Sequence, residues 1–218
     1  MKSITRVERQ RKNGARRSIF VDDEFAFGVA EETYLRYSLF VGRTLEESEI
    51  DEIGIFDEGY RAKLIAMALL DRRLRSIAEI REHLAKKEFP LRAVESTLKY
   101  LEDFGEIDDA RFAAAYINDR LLKRKIAPGR LRSELRQKGV ASEIIDEALA
   151  ELVDDDRELS LALEAARSKD RRLRDSDRKK RENRIVAFLQ SRGFRWSVIA
   201  PTLKVLRAEW EQNAAKDS

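Results

Sequence analysis

The sequence predicts a mainly α-helical protein: three tandem three-helix repeats forming an elongated, curved array, preceded by a small N-terminal β-meander with short helices. Three observations support this fold class. Apolar positions recur three times, helix-end signals fall at matching places in each copy, and strand-like alternation is confined to the N-terminal segment. Tandem helical repeats bury a continuous core between neighbours and leave a long surface for a partner, so the pattern favours a binding protein.

The internal repeat occupies a 22-residue window that recurs without gaps. The first copy contains Ile80, Leu84, Lys87, Phe89, Val94, Leu98 and Leu101. The second copy, 51 residues later, contains Leu131, Leu135, Lys138, Val140, Ile145, Leu149 and Leu152. The third copy, a further 54 residues later, contains Ile185, Leu189, Arg192, Phe194, Ile199, Leu203 and Leu206. Every position keeps its chemical class, and the spacing is that of two amphipathic helices joined by a short turn.

The turn between these two helices also repeats. Lys138-Gly139-Val140 and Arg192-Gly193-Phe194 share one pattern, whereas the first copy has Lys87-Glu88-Phe89. A glycine just after a helix adopts the left-handed conformation that satisfies the last carbonyls, and a basic residue there is favoured by the helix dipole. Because Glu88 replaces the glycine, we expect a slightly different or a strained turn in the first repeat.

Helix-start signals agree with this register. Ser76 and Glu79 form a capping box, and Asp108 and Ser142 are further predicted N-caps. Pro90 and Pro128 fall at or near the first position of a predicted helix, where proline is tolerated. Pro201 falls in the first turn of a helix predicted to start at Ser197. A further helix is predicted before each pair, over residues 61–73, 108–125 and 156–174.

The N-terminal segment has a different pattern. Predicted strands at residues 4–10 and 18–21 flank Asn13-Gly14, a strong signal for a tight hairpin, and residues 25–29 alternate after an acidic turn at 22–24. Two short helices follow, one over residues 31–37 and one starting at a capping box at Thr44. The predicted organisation is 1–59 (N-terminal extension), 60–107, 108–153 and 154–210 (repeats one to three) and 211–218 (flexible tail).

Composition argues against catalysis. Cysteine is absent, and the one histidine, His83, is predicted to be a surface residue. There is no glycine-rich phosphate loop, no secretory signal and no apolar run long enough for a membrane span. The acidic groups at 108–109 and 154–156 fall at helix starts, where carboxylates cap free N–H groups. We therefore expect a cytoplasmic, non-enzymatic protein without a metal or cofactor.

Basic residues concentrate toward the C-terminal half. Residues 1–59 carry a net charge of −4 and residues 154–218 a net charge of +4. Residues 120–138 hold eight cations against Glu134, and residues 167–184 hold ten against four acids. The residues predicted to contact a partner or DNA are Arg120, Lys123, Arg124, Lys125, Arg130, Arg132, Arg136, Lys138, Arg171, Arg172, Arg178, Lys179, Arg181 and Arg192. These cations could bind phosphates, bind an acidic protein groove, or form an ordinary solvated face.

Four aromatic residues lie near these stretches. Phe112 and Tyr116 stand at helical spacing among alanines, which favours core packing over base stacking. Trp210 is predicted to end the last helix. Trp196, at the rim of the third repeat, is more typical of packing, although it could lie in an interface.

The second repeat resembles the RecX family. Residues 107–113, Ile-Asp-Asp-Ala-Arg-Phe-Ala, match a leucine- or isoleucine-Asp-Asp followed by Phe-Ala. Glu134-Leu135 to Lys138-Gly139-Val140 matches the family's EL-x-x-KG ending, and Arg192-Gly193-Phe194 matches the turn of its last repeat. The resemblance covers residues 61–208, and the strand-rich N-terminal extension is similar to that of longer members.

The resemblance implies a modulator of the RecA recombinase, active in homologous recombination, DNA repair and the SOS response. Family members bind RecA and its filament on single-stranded DNA and suppress ATP hydrolysis and strand exchange. We expect a monomer that contacts the RecA filament and single- or double-stranded DNA. The alternative that the residues leave open is a stand-alone DNA-binding protein whose basic helix pairs dock on phosphates.

Overall fold

The computed structural model describes residues 2–10, 14–173 and 177–216. The chain forms two compact units, Met1–Ile107 and Asp108–Ser218. Within the described ranges, four strands and ten helices follow one another, and three successive groups of helices form three-helix repeats. The predicted mainly helical fold with a small N-terminal sheet is confirmed.

The sheet contains one strand more than the three predicted. Strands β1 (Lys2–Arg9), β2 (Arg16–Val21), β3 (Glu24–Ala30) and β4 (Thr44–Leu45) lie in the antiparallel order β3-β2-β1-β4. Asp22 and Asp23 join β2 to β3 with φ angles of 50° and 68°, as a tight hairpin requires. The predicted Asn13-Gly14 turn includes Asn13, which lies outside the described residues. Ile4 and Ile19 anchor the apolar face of the sheet.

Thr44 does not cap a helix, contrary to the prediction. Thr44 and Leu45 form strand β4, which pairs with β1 at the edge of the sheet. Helix α2 begins only at Glu47 and has no side-chain cap. Helix α1 spans Glu31–Arg36, and α2 continues unbroken from Glu47 to Leu70. The helix predicted at 61–73 is therefore the second half of a longer one, and the proposed boundary at 59/60 lies inside α2.

The first repeat packs the second half of α2 against α3 (Ile77–Lys86) and α4 (Leu91–Asp103). Ser76 caps α3 as predicted, because its Oγ accepts a hydrogen bond from the Glu79 N–H at 3.1 Å. The repeat positions of α3 and α4 form one apolar cluster with Ala62 and Ala66 of α2.

The second and third repeats share one core within the second unit. Their helices are α5 (Asp109–Arg124), α6 (Pro128–Gln137), α7 (Ser142–Leu152), α8 (Asp155–Asp170), α9 (Arg178–Ser191) and α10 (Trp196–Lys216). Asp108 caps α5, accepting hydrogen bonds from Ala110 N (2.7 Å) and Arg111 N (3.2 Å). The predicted cap at Ser142 is wrong, since Ala141 occupies the N-cap position and no side chain caps α7.

The repeated turns have nearly the same backbone geometry. Gly139, Gly193 and Glu88 have φ angles of 77°, 86° and 61°, so of the two expected alternatives, a different turn or a strained one, the first repeat has the strained turn. In each turn the next residue donates a backbone hydrogen bond to the carbonyl five positions earlier, at 3.2–3.3 Å. Among the apolar repeat positions, all of them described, Phe89 and Leu152 are half-buried and the rest are buried.

The last helix extends further than the sequence predicted. Helix α10 begins at Trp196, which places Pro201 in its second turn rather than its first. The helix continues to Lys216, so the proposed flexible tail starts inside it, and residues 217–218 lie outside the described residues. No helix within the described ranges is long and apolar enough to cross a membrane.

Candidate binding cleft between the second and third repeats

The turn of the third repeat docks on the second repeat. The Ala127 N–H donates to the Arg192 carbonyl at 3.0 Å, and Arg130 Nη1 donates to the Ser191 carbonyl at 2.5 Å. A Cβ at Gly193 would lie 2.9 Å from the Arg130 Cβ, so glycine is required for this approach as well as for its φ angle. These contacts place Arg192, the C-cap residue of α9, next to the segment that follows α5.

A basic cleft of about 340 Å³ opens at this junction. We use the term basic cleft for the surface formed by its six cationic lining residues, Lys123, Arg124, Lys125, Lys169, Arg172 and Arg192. Ser168, Phe188 and Ala165 complete its lining, and no described carboxylate lines it. An adjacent hollow of about 360 Å³ shares Arg124 and Arg192 with the cleft and adds Arg130.

The cations of the basic cleft repel one another. Burial lowers the pKa of Arg192, and the positive charges of Arg124 and Arg130 lower the pKa further. The Arg192 guanidinium lies 4.8 Å from the centroid of the Phe188 ring, which compensates for part of its lost hydration. An anion bound in the cleft would relieve this repulsion, because each cation would then face an opposite charge.

Several predicted site residues have no counter-ion among the described residues. Lys123 pairs with Asp119 at 2.5 Å and Lys125 pairs with Glu164, so these two are partly neutralised. Within the part of the chain that the structure describes, the predicted residues without an ion pair or hydrogen bond from the side chain are Arg124, Arg136, Arg171, Arg172, Lys179 and Arg192, the last of which contacts the Phe188 ring. Arg124 and Arg172 line the basic cleft, and both are exposed.

Other predicted site residues are used inside the fold. Arg132 pairs with Asp146 at 2.7 Å, Arg178 with Glu211 at 2.8 Å, and Arg181 with Asp170. Lys138 lies over the Phe112 and Tyr116 rings, with 5.9 Å and 5.5 Å between its Nζ and the ring centroids. The charge count alone could not separate these structural cations from the unpaired ones, because pairing depends on which helices are neighbours.

Arg120 belongs to a half-buried network with Tyr116 and Glu134. Its Nη2 donates to the Tyr116 hydroxyl at 2.9 Å, and that hydroxyl donates to Glu134 Oε2 at 2.7 Å. Burial and the bond to Glu134 raise the pKa of Tyr116. Burial alone would raise the pKa of Glu134, but hydrogen bonds from Tyr116 and Arg130 and the nearby guanidiniums lower it overall. The Glu134 side chain is therefore a carboxylate that holds Arg120 and Arg130 in place.

The aromatic predictions had mixed outcomes. Phe112 is buried, and Trp210 packs on the core with its Nε1 donating to Asp170 at 2.9 Å. Trp196, however, is 60% exposed, so the expected packing role is wrong. It follows the docked turn directly, and the indole remains on the surface at the start of α10.

The sequence prediction omitted some residues of the basic cleft. Lys169 belongs to the second basic stretch but was not singled out, and Ser168 and Phe188 carry no charge signal. The acidic groups behave as predicted caps: Asp154 accepts from Arg157 N at 2.7 Å. In the described ranges, no group of three or more potential metal ligands is present.

Comparison with known proteins finds the same four domains in the same order along the chain. Four family models match: the Regulatory protein RecX N-terminal domain at residues 2–46, and the first, second and third RecX three-helix domains at 62–101, 108–149 and 155–203. The Regulatory protein RecX of Bacillus subtilis (strain 168) is 31% identical, over 100% of this chain and 82% of that protein. The chain belongs to the RecX family. The predicted resemblance is therefore confirmed.

Other RecX proteins agree in sequence and in fold. The protein of that name from Listeria innocua serovar 6a is 34% identical, over 88% of this chain and 71% of its own length. A crystal structure of a regulatory protein RecX superposes with a TM-score of 0.70 at 29% identity, covering 94% of this chain and 100% of the other. RecX from Lactobacillus salivarius shares the fold at a TM-score of 0.63 and 20% identity, over 70% of this chain and 98% of that one.

Proposed function

We propose that this protein is a non-catalytic, cytoplasmic regulator of RecA that binds the RecA filament on single-stranded DNA and inhibits ATP hydrolysis and strand exchange. The observation that carries the proposal is the match of all four RecX family domains in their order along the chain. A binding role also agrees with Arg124 and Arg172 of the basic cleft, whose side chains have no partner among the described residues.

The basic cleft is the proposed contact surface for the filament. A RecA filament on DNA presents phosphates and acidic side chains, and either anion would replace the missing counter-ions of Arg124 and Arg172. Both arginines are exposed and unpaired among the described residues, so reversing their charge should leave the fold intact.

An ATPase titration tests this proposal. We expect sub-stoichiometric protein to slow ATP hydrolysis by RecA on single-stranded DNA, and the double variant Arg124→Glu/Arg172→Glu to require at least about tenfold more protein for the same effect. The matched control is Lys99→Glu/Lys204→Glu, which makes the same charge change at exposed lysines outside the cleft and should behave like the wild type. Unchanged hydrolysis and filament length at equimolar wild-type protein would contradict the regulatory function.

A stand-alone DNA-binding protein is the second candidate. The specific observation in its favour is the absence of any described carboxylate from the lining of the basic cleft. This function predicts DNA binding without RecA whose affinity falls steeply with salt, because each neutralised phosphate releases counter-ions. The discriminating measurement is fluorescence anisotropy of labelled DNA across salt concentrations, with and without RecA. Tight binding without RecA, together with unchanged RecA ATPase, would favour this second candidate over the first.

A further inference from the structure

A second cavity, of about 510 Å³, lies in the first unit between α1, α2 and α4. Three aromatic residues, Phe56, Tyr60 and Tyr100, line it together with Ile55, and we call it the aromatic cavity. Its volume is in the range of small-ligand sites, which combine apolar and aromatic walls with a few polar groups. Nothing in the proposed regulation of RecA uses it.

Gly59 keeps one wall of the aromatic cavity open. The residue lies in the middle of the 24-residue helix α2, and a Cβ built on it meets no atom within 4 Å. Glycine is a poor helix former, and no neighbouring side chain or backbone forces its use here. A glycine at such a position permits close approach of a ligand to the helix backbone.

Thr97 also lines the cavity, and its hydroxyl is unsatisfied. The residue is 3% exposed, and its Oγ1 is buried without a hydrogen-bond partner in the structure. A helical threonine ordinarily bonds to the carbonyl four residues earlier, but the Ala93 carbonyl accepts from the Ser96 hydroxyl at 3.2 Å instead. Buried polar groups nearly always have partners, so a lone buried hydroxyl in a cavity wall points to a ligand that supplies one.

Charged groups surround the aromatic walls. The Arg36 guanidinium lies 4.5 Å from the Phe56 ring centroid, and Lys63 Nζ lies 3.4 Å from that of Tyr100. Glu32 also lines the cavity. None of these three charges forms an ion pair with another residue in the described part of the chain. The cavity lining therefore combines aromatic surface, two cations, one carboxylate and the hydroxyls of two tyrosines, Ser96 and Thr97.

We infer that the aromatic cavity binds a nucleotide, with the base against the aromatic side chains and the phosphate at Arg36 and Lys63. Arg36 and Lys63 already lie over the Phe56 and Tyr100 rings, so the base stacks on Tyr60, and its edge offers partners for the Thr97 hydroxyl and the Glu32 carboxylate. A peptide with a phenylalanine beside an acid would also present a ring and an anion, so such a peptide is the competing ligand in the test below. The nucleotide is either free or part of a single strand, since both present the same chemistry.

Filling the aromatic cavity tests the inference. Gly59→Leu places a side chain in the open space, whereas Gly54→Leu makes the same change on the same helix outside the cavity, where a Cβ also meets nothing within 4 Å. Binding of adenosine, adenosine 5′-monophosphate and a ten-residue deoxyadenylate strand is measured by calorimetry on the full chain. We expect the monophosphate to bind the wild type and Gly54→Leu equally, and Gly59→Leu at least about tenfold more weakly. Thermal unfolding confirms that both variants fold.

Two further variants identify the contacts. Thr97→Val keeps the shape of the side chain and should weaken binding of adenosine and its monophosphate alike. Lys63→Gln should reduce the affinity for the monophosphate toward that for adenosine. Tighter binding of the strand than of the monophosphate, lost in Gly59→Leu, would identify a nucleotide within a single strand, and equal or weaker binding would identify a free nucleotide.

The strand measurement is made in the Arg124→Glu/Arg172→Glu background, so that binding at the basic cleft does not contribute. Three results would each overturn the inference: no nucleotide binding at millimolar concentration, equal binding by Gly59→Leu and the wild type, or binding of an Asp-Phe-Asp peptide instead of the nucleotide. None of these results bears on RecA regulation, which the ATPase titration tests separately.

Discussion

At the residue scale, Glu88 shows how a repeated turn constrains a single backbone position. Gly139 and Gly193 occupy the equivalent positions with positive φ, and Glu88 keeps that conformation although its side chain disfavours it. The flanking helices carry buried apolar residues at matching positions in all three repeats, and this packing constrains the turn that joins them. The strain is tolerated because the buried repeat positions on either side hold both helices in place.

Replacing Glu88 with glycine should therefore stabilise the protein. We expect Glu88→Gly to raise the free energy of unfolding by about 1 kcal/mol, since it removes the left-handed strain. The measurement is urea unfolding of the full chain followed by circular dichroism. Glu88→Ala is the matched control, because it removes the same side chain but retains the strain, and a similar gain in that variant would contradict the explanation.

At the element scale, one carboxylate on α2 ties the helix to the sheet and to α1. Asp57 is 4% exposed and accepts hydrogen bonds from the Ala30 N–H at 2.6 Å and the Thr33 hydroxyl at 2.9 Å. Arg16 of β2 forms an ion pair with the same carboxylate at 3.3 Å. Because α2 continues into the first repeat, this contact joins the N-terminal sheet to that repeat within the first unit.

Removing this carboxylate should destabilise the first unit. We expect Asp57→Ala to lower the free energy of unfolding by about 3 kcal/mol, because it leaves a buried N–H, a hydroxyl and a half-buried arginine without their partner. Asp51→Ala, at an exposed site on the same helix, should change it by no more than about 0.5 kcal/mol. Chemical denaturation compares the two variants, and equal effects would show that Asp57 has no special structural role.

At the scale of the whole molecule, each compact unit has its own core. One apolar cluster spans all six helices of the second unit, and two separate clusters lie in the first. A domain with a continuous core of its own can fold independently. The second and third repeats are therefore one folding unit, joined by the docked turn at Gly193.

A fragment of residues 108–218 should consequently fold on its own. We expect a helical circular-dichroism spectrum and a single cooperative thermal transition, since every residue of the largest apolar cluster is retained. A second fragment, residues 60–107, provides the comparison: it cuts α2 in its middle and should unfold with little cooperativity. A disordered 108–218 fragment would show that its core depends on the first unit.

The sequence by itself determined the repeats, their turns and the family. Apolar spacing and left-handed turn positions are local properties, so Gly139, Gly193 and even the strained Glu88 could be read directly from the chain. The tertiary structure decided which cations are paired, because Arg132 and Arg181 lie beside acids on neighbouring helices, whereas Arg124 and Arg172 have no acid beside them in the ranges that the structure describes. The tertiary structure also places Thr44 in a strand, because pairing with β1 outweighs the local capping preference. Contacts between residues distant in sequence have no local pattern, and for that reason both the basic cleft and the aromatic cavity emerge only in the folded chain.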